Sequence, residues 1–239
     1  MNEASSGGGE AAVKRFFLCL CCLILVSEAF AVDFKFLGGA CLSSYSIYPT
    51  RVYWGGYGDY YRTDTSYQPG FLVGAGIEWP LAKRIAMEVD ILYFRKGSKT
   101  TQSRFDAVSL KGNYVLNVIS VPVLIKIKAL PNSSPYIVHG GELSYALSHE
   151  YSYTIYPDSS YEIGPQHYPP ADIKDSTKSL SFGVVIGAGW EIKIRGIALQ
   201  VEARYHFGLV NILSENQSEY GMFESIKPNS QAILCALKF

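Results

Sequence analysis

From about residue 34 to its end the chain repeats one pattern eight times: every second residue is apolar, and those between are mostly glycine, serine or charged. The runs fall at about 34–44, 69–79, 85–95, 114–128, 135–148, 178–194, 197–210 and 229–239. In the sixth, Leu180, Phe182, Val184, Ile186, Ala188, Trp190 and Ile192 oppose Ser181, Gly183, Gly187, Gly189, Glu191 and Lys193. Successive side chains of a β-strand point to opposite faces, so each run has one apolar and one polar face. Each also reaches the roughly 9–11 residues that a tilted strand needs to cross a bilayer.

A soluble β-sandwich alternates as well, and two features separate it from a membrane barrel. The polar faces here are heavy in glycine and acids, as in a crowded lumen, rather than in the Lys, Thr and Ser of a sheet facing water. The connections alternate between short (80–84, 130–134, 195–196) and long (45–68, 96–113, 149–177, 211–228), the asymmetry of barrels with short periplasmic turns and long extracellular loops. The expected fold is all-β: an eight-stranded antiparallel up-and-down transmembrane β-barrel with both termini on the short-turn side. Trp79 and Trp190 near the short turns, and Tyr93, Phe94 and Tyr205 toward the other rim, are expected to mark the two interfaces.

The ends of the chain agree with export. Lys14 and Arg15 precede the apolar run 16–26, and Ala29-Phe30-Ala31 supplies the small residues of a cleavage site. Residues 1–31 are therefore expected to be a removed signal peptide and 32–239 the barrel domain. The acidic, glycine-rich stretch before Lys14 is unusual for such a signal, and a start at Val13 would account for it. At the other end, Phe239 closes an alternating run, the terminal aromatic with which outer-membrane barrels end.

Twenty-one basic and 21 acidic residues leave no basic field, so nucleic acid is not an expected partner. Of five cysteines only Cys41 and Cys235 follow the signal, too few for a metal site. Parity puts Cys41 inward and Cys235 outward, so both are expected to be free thiols.

Landmarks spread along the whole barrel region resemble one family. They are Gln68-Pro69-Gly70-Phe71 with Gly74 and Gly76, the run Met87 to Gly97, Ile119 to Lys126, Pro135-Tyr136 with Gly140, and Glu202-Ala203-Arg204-Tyr205 with Gly208-Leu209. Together they resemble the PorT-type outer-membrane β-barrel proteins. The resemblance implies an eight-stranded barrel in the outer membrane of a Gram-negative bacterium, surrounded by outer-membrane lipid and inserted by barrel-assembly machinery that reads the strand ending at Phe239. It implies no particular activity.

An eight-stranded barrel encloses a space that side chains can fill. Inward parity collects Glu78, Glu88, Asp90, Glu142, Glu191, Glu202, Lys35, Lys126, Lys128, Lys193, Arg204 and Lys238. Isolated charges in a narrow lumen are costly, whereas paired ones can be held. The expected arrangement is a charge network including Glu88, Asp90, Lys126, Glu142, Glu202 and Arg204. Arg204 is its expected hub because a guanidinium presents five donors in a fork, with Glu88, Asp90 and Glu142 as candidate partners.

Neither a hydrolase triad, a phosphate-binding loop nor a dinucleotide fingerprint is evident around His139, His149, His167 and His206, and no catalytic residue or cofactor is expected. Function is sought on the loops. The first carries Tyr48, Arg51, Tyr53, Trp54, Tyr57, Tyr60, Tyr61 and Arg62, and the third carries Tyr151, Tyr153, Tyr156, Tyr161 and Tyr168. Tyr, Trp and Arg dominate contact hot spots. These loops either bind an extracellular protein or glycan, or pack on one another and on lipid headgroups. The expected function is structural or surface-interacting and non-enzymatic, with a narrow transport or secretion-linked component as the alternative.

Overall fold

The computed structural model describes residues 32–49, 52–54, 57–59, 62–104, 108–131, 134–157, 164–194, 196–213 and 223–239. Its strands are β1 (Asp33–Pro49), β2 (Val52–Trp54), β3 (Tyr57–Asp59), β4 (Arg62–Ala82), β5 (Ile85–Arg104), β6 (Val108–Lys128), β7 (Pro135–Tyr156), β8 (Gln166–Asp172), β9 (Leu180–Ile194), β10 (Ile197–Gly208) and β11 (Phe223–Lys238). Eight of them pair antiparallel in the order β1-β4-β5-β6-β7-β9-β10-β11, and β11 returns to β1, which closes the ring. No helix among the described residues is long and apolar enough to cross a membrane; closure of the ring leaves the eight strands without a free sheet edge.

The closing seam runs from Lys35 opposite Lys238 to Tyr48 opposite Ser225 without a break. Phe34 and Phe239 exchange both backbone hydrogen bonds at its foot, at 3.2 and 2.8 Å, and the Phe239 ring meets Phe36 edge-on at 6.4 Å. The two cysteines sit on opposite faces of this seam, Cys41 buried and Cys235 exposed, and both are free thiols. Beside it, β9 turns into β10 at Gly196, whose φ of +90° lies in the left-handed region. An alanine there is expected to cost about 1–2 kcal/mol, readable as a lower refolding midpoint, because space is open but the backbone conformation is not.

Outward residues form an apolar wall: Phe182 and Ile186 are 57% and 48% exposed. Inward apolar residues, among them Leu72, Leu92, Leu116, Val118 and Leu234, make an apolar core with Tyr45 and Tyr114. Phe94 belongs to this interior, fully buried, and corrects the expectation that it marks the outer rim; the marker beside it is the outward Tyr93.

The runs called loops are largely strand. β5 and β6 continue past Arg95 and Tyr114 to pair up to Arg104 with Val108. β7 continues to Tyr156, leaving β9 after Tyr145 and pairing with β8 from Glu150. A bulge opposite the Asn117–Val118 step turns Leu147 and Ser148 to the same outer side and keeps His149 inward. β2 and β3 form a separate short hairpin.

Candidate functional site

The lumen is filled by charge in three storeys. Nearest the short turns, Glu78 accepts from Lys126 at 2.8 Å, Lys128 at 2.9 Å and Lys238 at 3.0 Å. Glu191 accepts from Lys128 at 3.1 Å and Lys238 at 3.2 Å, and Lys238 also reaches Asp33 at 3.1 Å. Gln200 bridges the two acids, donating to Glu191 at 2.8 Å and Glu78 at 3.2 Å.

Arg204 organises the middle storey. Its guanidinium donates to Asp90 at 2.8 Å and makes close contacts with Glu88 and Glu202. Lys35 pairs with the same Asp90 at 2.8 Å and with Glu88. Lys126 links this storey to the one below by also reaching Glu88 at 2.8 Å, while lying 4.4 Å from the centre of the Tyr136 ring. Tyr136 donates to Glu202 at 2.9 Å. In the upper storey Glu142 accepts from Lys96 at 3.2 Å and Ser144 at 2.9 Å and contacts His206.

Glycines make the crossings possible. Gly76 stands between Lys35 and Asp90 in register, and a Cβ there would lie 2.0 Å from the Asp90 carboxylate. Gly189 likewise stands between Tyr136 and Glu202, and a Cβ would lie 2.6 Å from the Tyr136 hydroxyl. Six carboxylates (Glu78, Glu88, Asp90, Glu142, Glu191, Glu202) therefore meet six cations (Lys35, Lys96, Lys126, Lys128, Arg204, Lys238) in an interior that excludes water from nearly all of them. Such a lumen is packed, its ion pairs lying beside the apolar cluster.

The model of the outer membrane protein beta-barrel domain matches residues 32–214 of the chain. The chain belongs to this family of outer-membrane barrels. No curated protein matches it in sequence. Solved structures similar to this barrel include Ail, the attachment invasion locus protein of Yersinia pestis, at 10% identity and a TM-score of 0.37 over 87% of this chain and 98% of that one. OprG from Pseudomonas aeruginosa is similar at 12% identity and a TM-score of 0.41, over 87% and 95% of the two chains. Neisserial surface protein A follows at 11% identity and 0.35, over 86% and 95%.

Above the membrane the interior of this outer-membrane barrel changes from ionic to aromatic. His149 lies two residues past the outward Leu147, beneath β8, and is buried. Thr177 Oγ1 donates to Ile173 O at 3.0 Å, so it accepts from His149 Nδ1 at 2.7 Å. That leaves Nε2 to accept from the Tyr45 hydroxyl at 3.4 Å. From there tyrosines stack toward the mouth: Tyr114 on Tyr151 at 4.4 Å, Tyr151 on Tyr153 at 5.4 Å, and Tyr153 on Tyr168 at 4.4 Å and 12°.

Burial holds the His149 ring down from its ordinary 6.5 to about 4. Below pH 6.5 the unfolded chain takes up a proton that the folded one refuses, so stability falls as pH drops toward 4. About 2 kcal/mol is expected to be lost between pH 7 and pH 5. Refolding equilibria at the two pH values check this, and His149→Asn is expected to remove most of the difference.

Of the residues expected in the network, Glu88, Asp90, Lys126, Glu202 and Arg204 meet in the middle storey. Glu142 does not join them: it lies one storey up with Lys96 and His206, which corrects its assignment to Arg204. Lys193 sits half-exposed at the lower mouth, 3.9 Å from Glu191. Lys96, Gln200 and Tyr136 were missed, although Lys96 continues the inward parity of Glu88 and Asp90 along β5.

His139 is on the exposed outer wall opposite Ile186. His206 is buried against Glu142 and Phe94. Of the first-loop residues, Arg51, Tyr60 and Tyr61 lie outside the described residues; Tyr48, Tyr53, Trp54, Tyr57 and Arg62 are on β1 to β4 and are located by backbone alone. Tyr161 is outside as well, while Tyr151, Tyr153 and Tyr156 are on β7 and Tyr168 on β8. Among the described residues no group of His, Cys, Asp and Glu is arranged to hold a metal ion.

Proposed function

We propose that this barrel is a non-conducting, non-enzymatic outer-membrane protein that works through its extracellular mouth as a structural or surface-interacting element. The observation that supports this reading is the pairing of the lumen charges through all three storeys, from Lys238 to Lys96. Carboxylates engaged in buried ion pairs are closed to substrate, and a lumen occupied by side chains offers no continuous water path. What remains accessible is the polar, tyrosine-rich extension of the strands, where rigid aromatic rings give contact area at low entropic cost.

The decisive experiment is single-channel recording in planar bilayers. We expect no discrete conductance steps from the refolded protein. Reproducible steps that survive extensive purification would turn the assignment to a narrow transport or secretion-linked component. A companion pull-down from surface extracts, with Tyr53, Trp54 and Tyr57 intact or replaced by serine, tests an extracellular protein or glycan partner: retention lost with the three rings supports it, and identical retention excludes this loop.

We further infer a PorT-type barrel, on the landmark residues given above, exported by the signal at 1–31 and delivered to barrel-assembly machinery through the strand ending at Phe239. N-terminal sequencing of the membrane-purified protein is expected to begin at or near Val32. A first residue upstream of Lys14 would overturn the signal-peptide assignment.

A further inference from the structure

The outward side of the strand extensions carries a polar surface that neither the membrane wall nor the lumen uses. Along β5 to β7 the outer face changes character at one level: below it stand Ile91, Ile119 and Leu143, and at it Tyr93 donates to Asn117 at 3.0 Å and Asn117 to Ser148 at 2.8 Å. Above this belt two rows cross adjacent strands in register. The lower row is Ser66, Lys99, Asn113 and Ser152, and the upper is Asp64, Thr101, Lys111, Thr154 and His167. All of them but Asp64 line a shallow concavity of about 390 Å³.

Three features give the concavity its chemistry. Lys99 and Lys111 occupy diagonal positions on neighbouring strands, with Lys111 held 4.8 Å from the Tyr156 ring centre. His167 bonds Thr154 through Nδ1 at 3.1 Å, which leaves its Nε2 edge on the exposed side. Asn113 brings a side-chain carbonyl oxygen that is buried and without a hydrogen-bond partner among the described residues. Two cations, hydroxyls and an orphaned acceptor together match a sugar carrying phosphate: ammonium groups for the anion, Asn113 for a sugar hydroxyl. The acids nearby are Asp64, at the edge of the upper row and already engaged, and Glu150, below Ser152.

Position selects the source. The surface faces sideways, in continuation of the lipid-facing wall, and Lys99 stands four residues above Arg95, roughly 10 Å along the membrane normal for a tilted strand. That is the level of sugars borne by neighbouring lipids of the outer leaflet. We propose that the face formed by Lys99, Lys111, Asn113 and His167 seats the phosphorylated sugar headgroup of an outer-leaflet glycolipid.

The test uses the full barrel in detergent, titrated with lipid A carrying its inner-core sugars and followed by native mass spectrometry. Wild type is expected to retain the glycolipid, and Lys99→Gln/Lys111→Gln to bind it about tenfold or more weakly, the loss of charge-assisted contacts. Lys83→Gln/Arg84→Gln, at the short-turn end, is expected to bind as wild type, and a difference in gel mobility with and without heating, expected of a closed barrel without free strand edges, verifies that each variant is folded. Dephosphorylated glycolipid is expected to bind as weakly as the double variant, and millimolar inorganic phosphate not to displace the glycolipid. Equal binding by the Lys99/Lys111 variant, or equal binding of the dephosphorylated glycolipid, overturns the site; displacement by free phosphate overturns the glycolipid as its occupant. Conductance does not bear on this result, so the site and the closed-lumen reading fail separately.

Discussion

Arg204→Leu is expected to lower the unfolding free energy by about 3–5 kcal/mol, the range for removing one partner from a buried charge cluster. The leucine leaves Glu88, Asp90 and Glu202 facing one another across the middle storey, with Lys35 and Lys126 alone to neutralise them. Urea refolding titrations in detergent or lipid, followed by tryptophan fluorescence, measure the loss. Adding Asp90→Asn to Arg204→Leu is expected to restore part of it, because one stranded carboxylate is neutralised. A loss below about 0.5 kcal/mol, the size of an ordinary surface substitution, would mean that Arg204 is hydrated and the lumen wet.

On the opposite face, Ile186→Arg is expected to cost about 2–4 kcal/mol, as for a cation near the bilayer midplane. Ile186 pairs with His139 and Tyr205 in the middle of the spanning wall, so Tyr205 lies deeper than the rim it was expected to mark. Leu209→Arg, just past the upper end of β10, is expected to cost about 0–1 kcal/mol, because depth sets the penalty. Equal costs at the two sites in the same refolding assay would show that the wall has been assigned to the wrong level.

The eight spanning strands and their faces were legible because lipid on one side and a crowded lumen on the other impose a period of two. That same cause hides the strand extensions. Past Arg95 and below Tyr114 both faces of β5 and β6 meet water or polar neighbours, so Lys99, Thr101, Lys111 and Asn113 keep pairing while apolar alternation disappears. Alternation reports the membrane rather than the strand, and Lys96 was lost to a supposed loop on that account.

Parity also gives a face without a height. Glu142 and Arg204 both point inward, yet β9 pairs Glu142 with Gly183 and Arg204 with Gly187, four residues or roughly 13 Å apart along that strand. Strand stagger decides which inward residues meet, and stagger is written in the turns and the closing register. The Tyr45–His149–Thr177 contact was invisible for a similar reason: it depends on β8 folding back over a bulged β7.

The polar contacts of the lumen also constrain the order in which the molecule can be made. Lys238 meets Glu78 across 160 residues of chain, Gln200 meets Glu78 across 122, and Arg204 meets Asp90 across 114. Each joins the last two strands to the first half of the ring, so none exists while the sheet is open. Until the seam shuts, these polar and charged side chains need water, and a half-closed sheet cannot carry them into lipid without a large penalty. Insertion and closure are therefore expected to be one event, with the buried charges as a checkpoint during biogenesis that only a finished ring can pass.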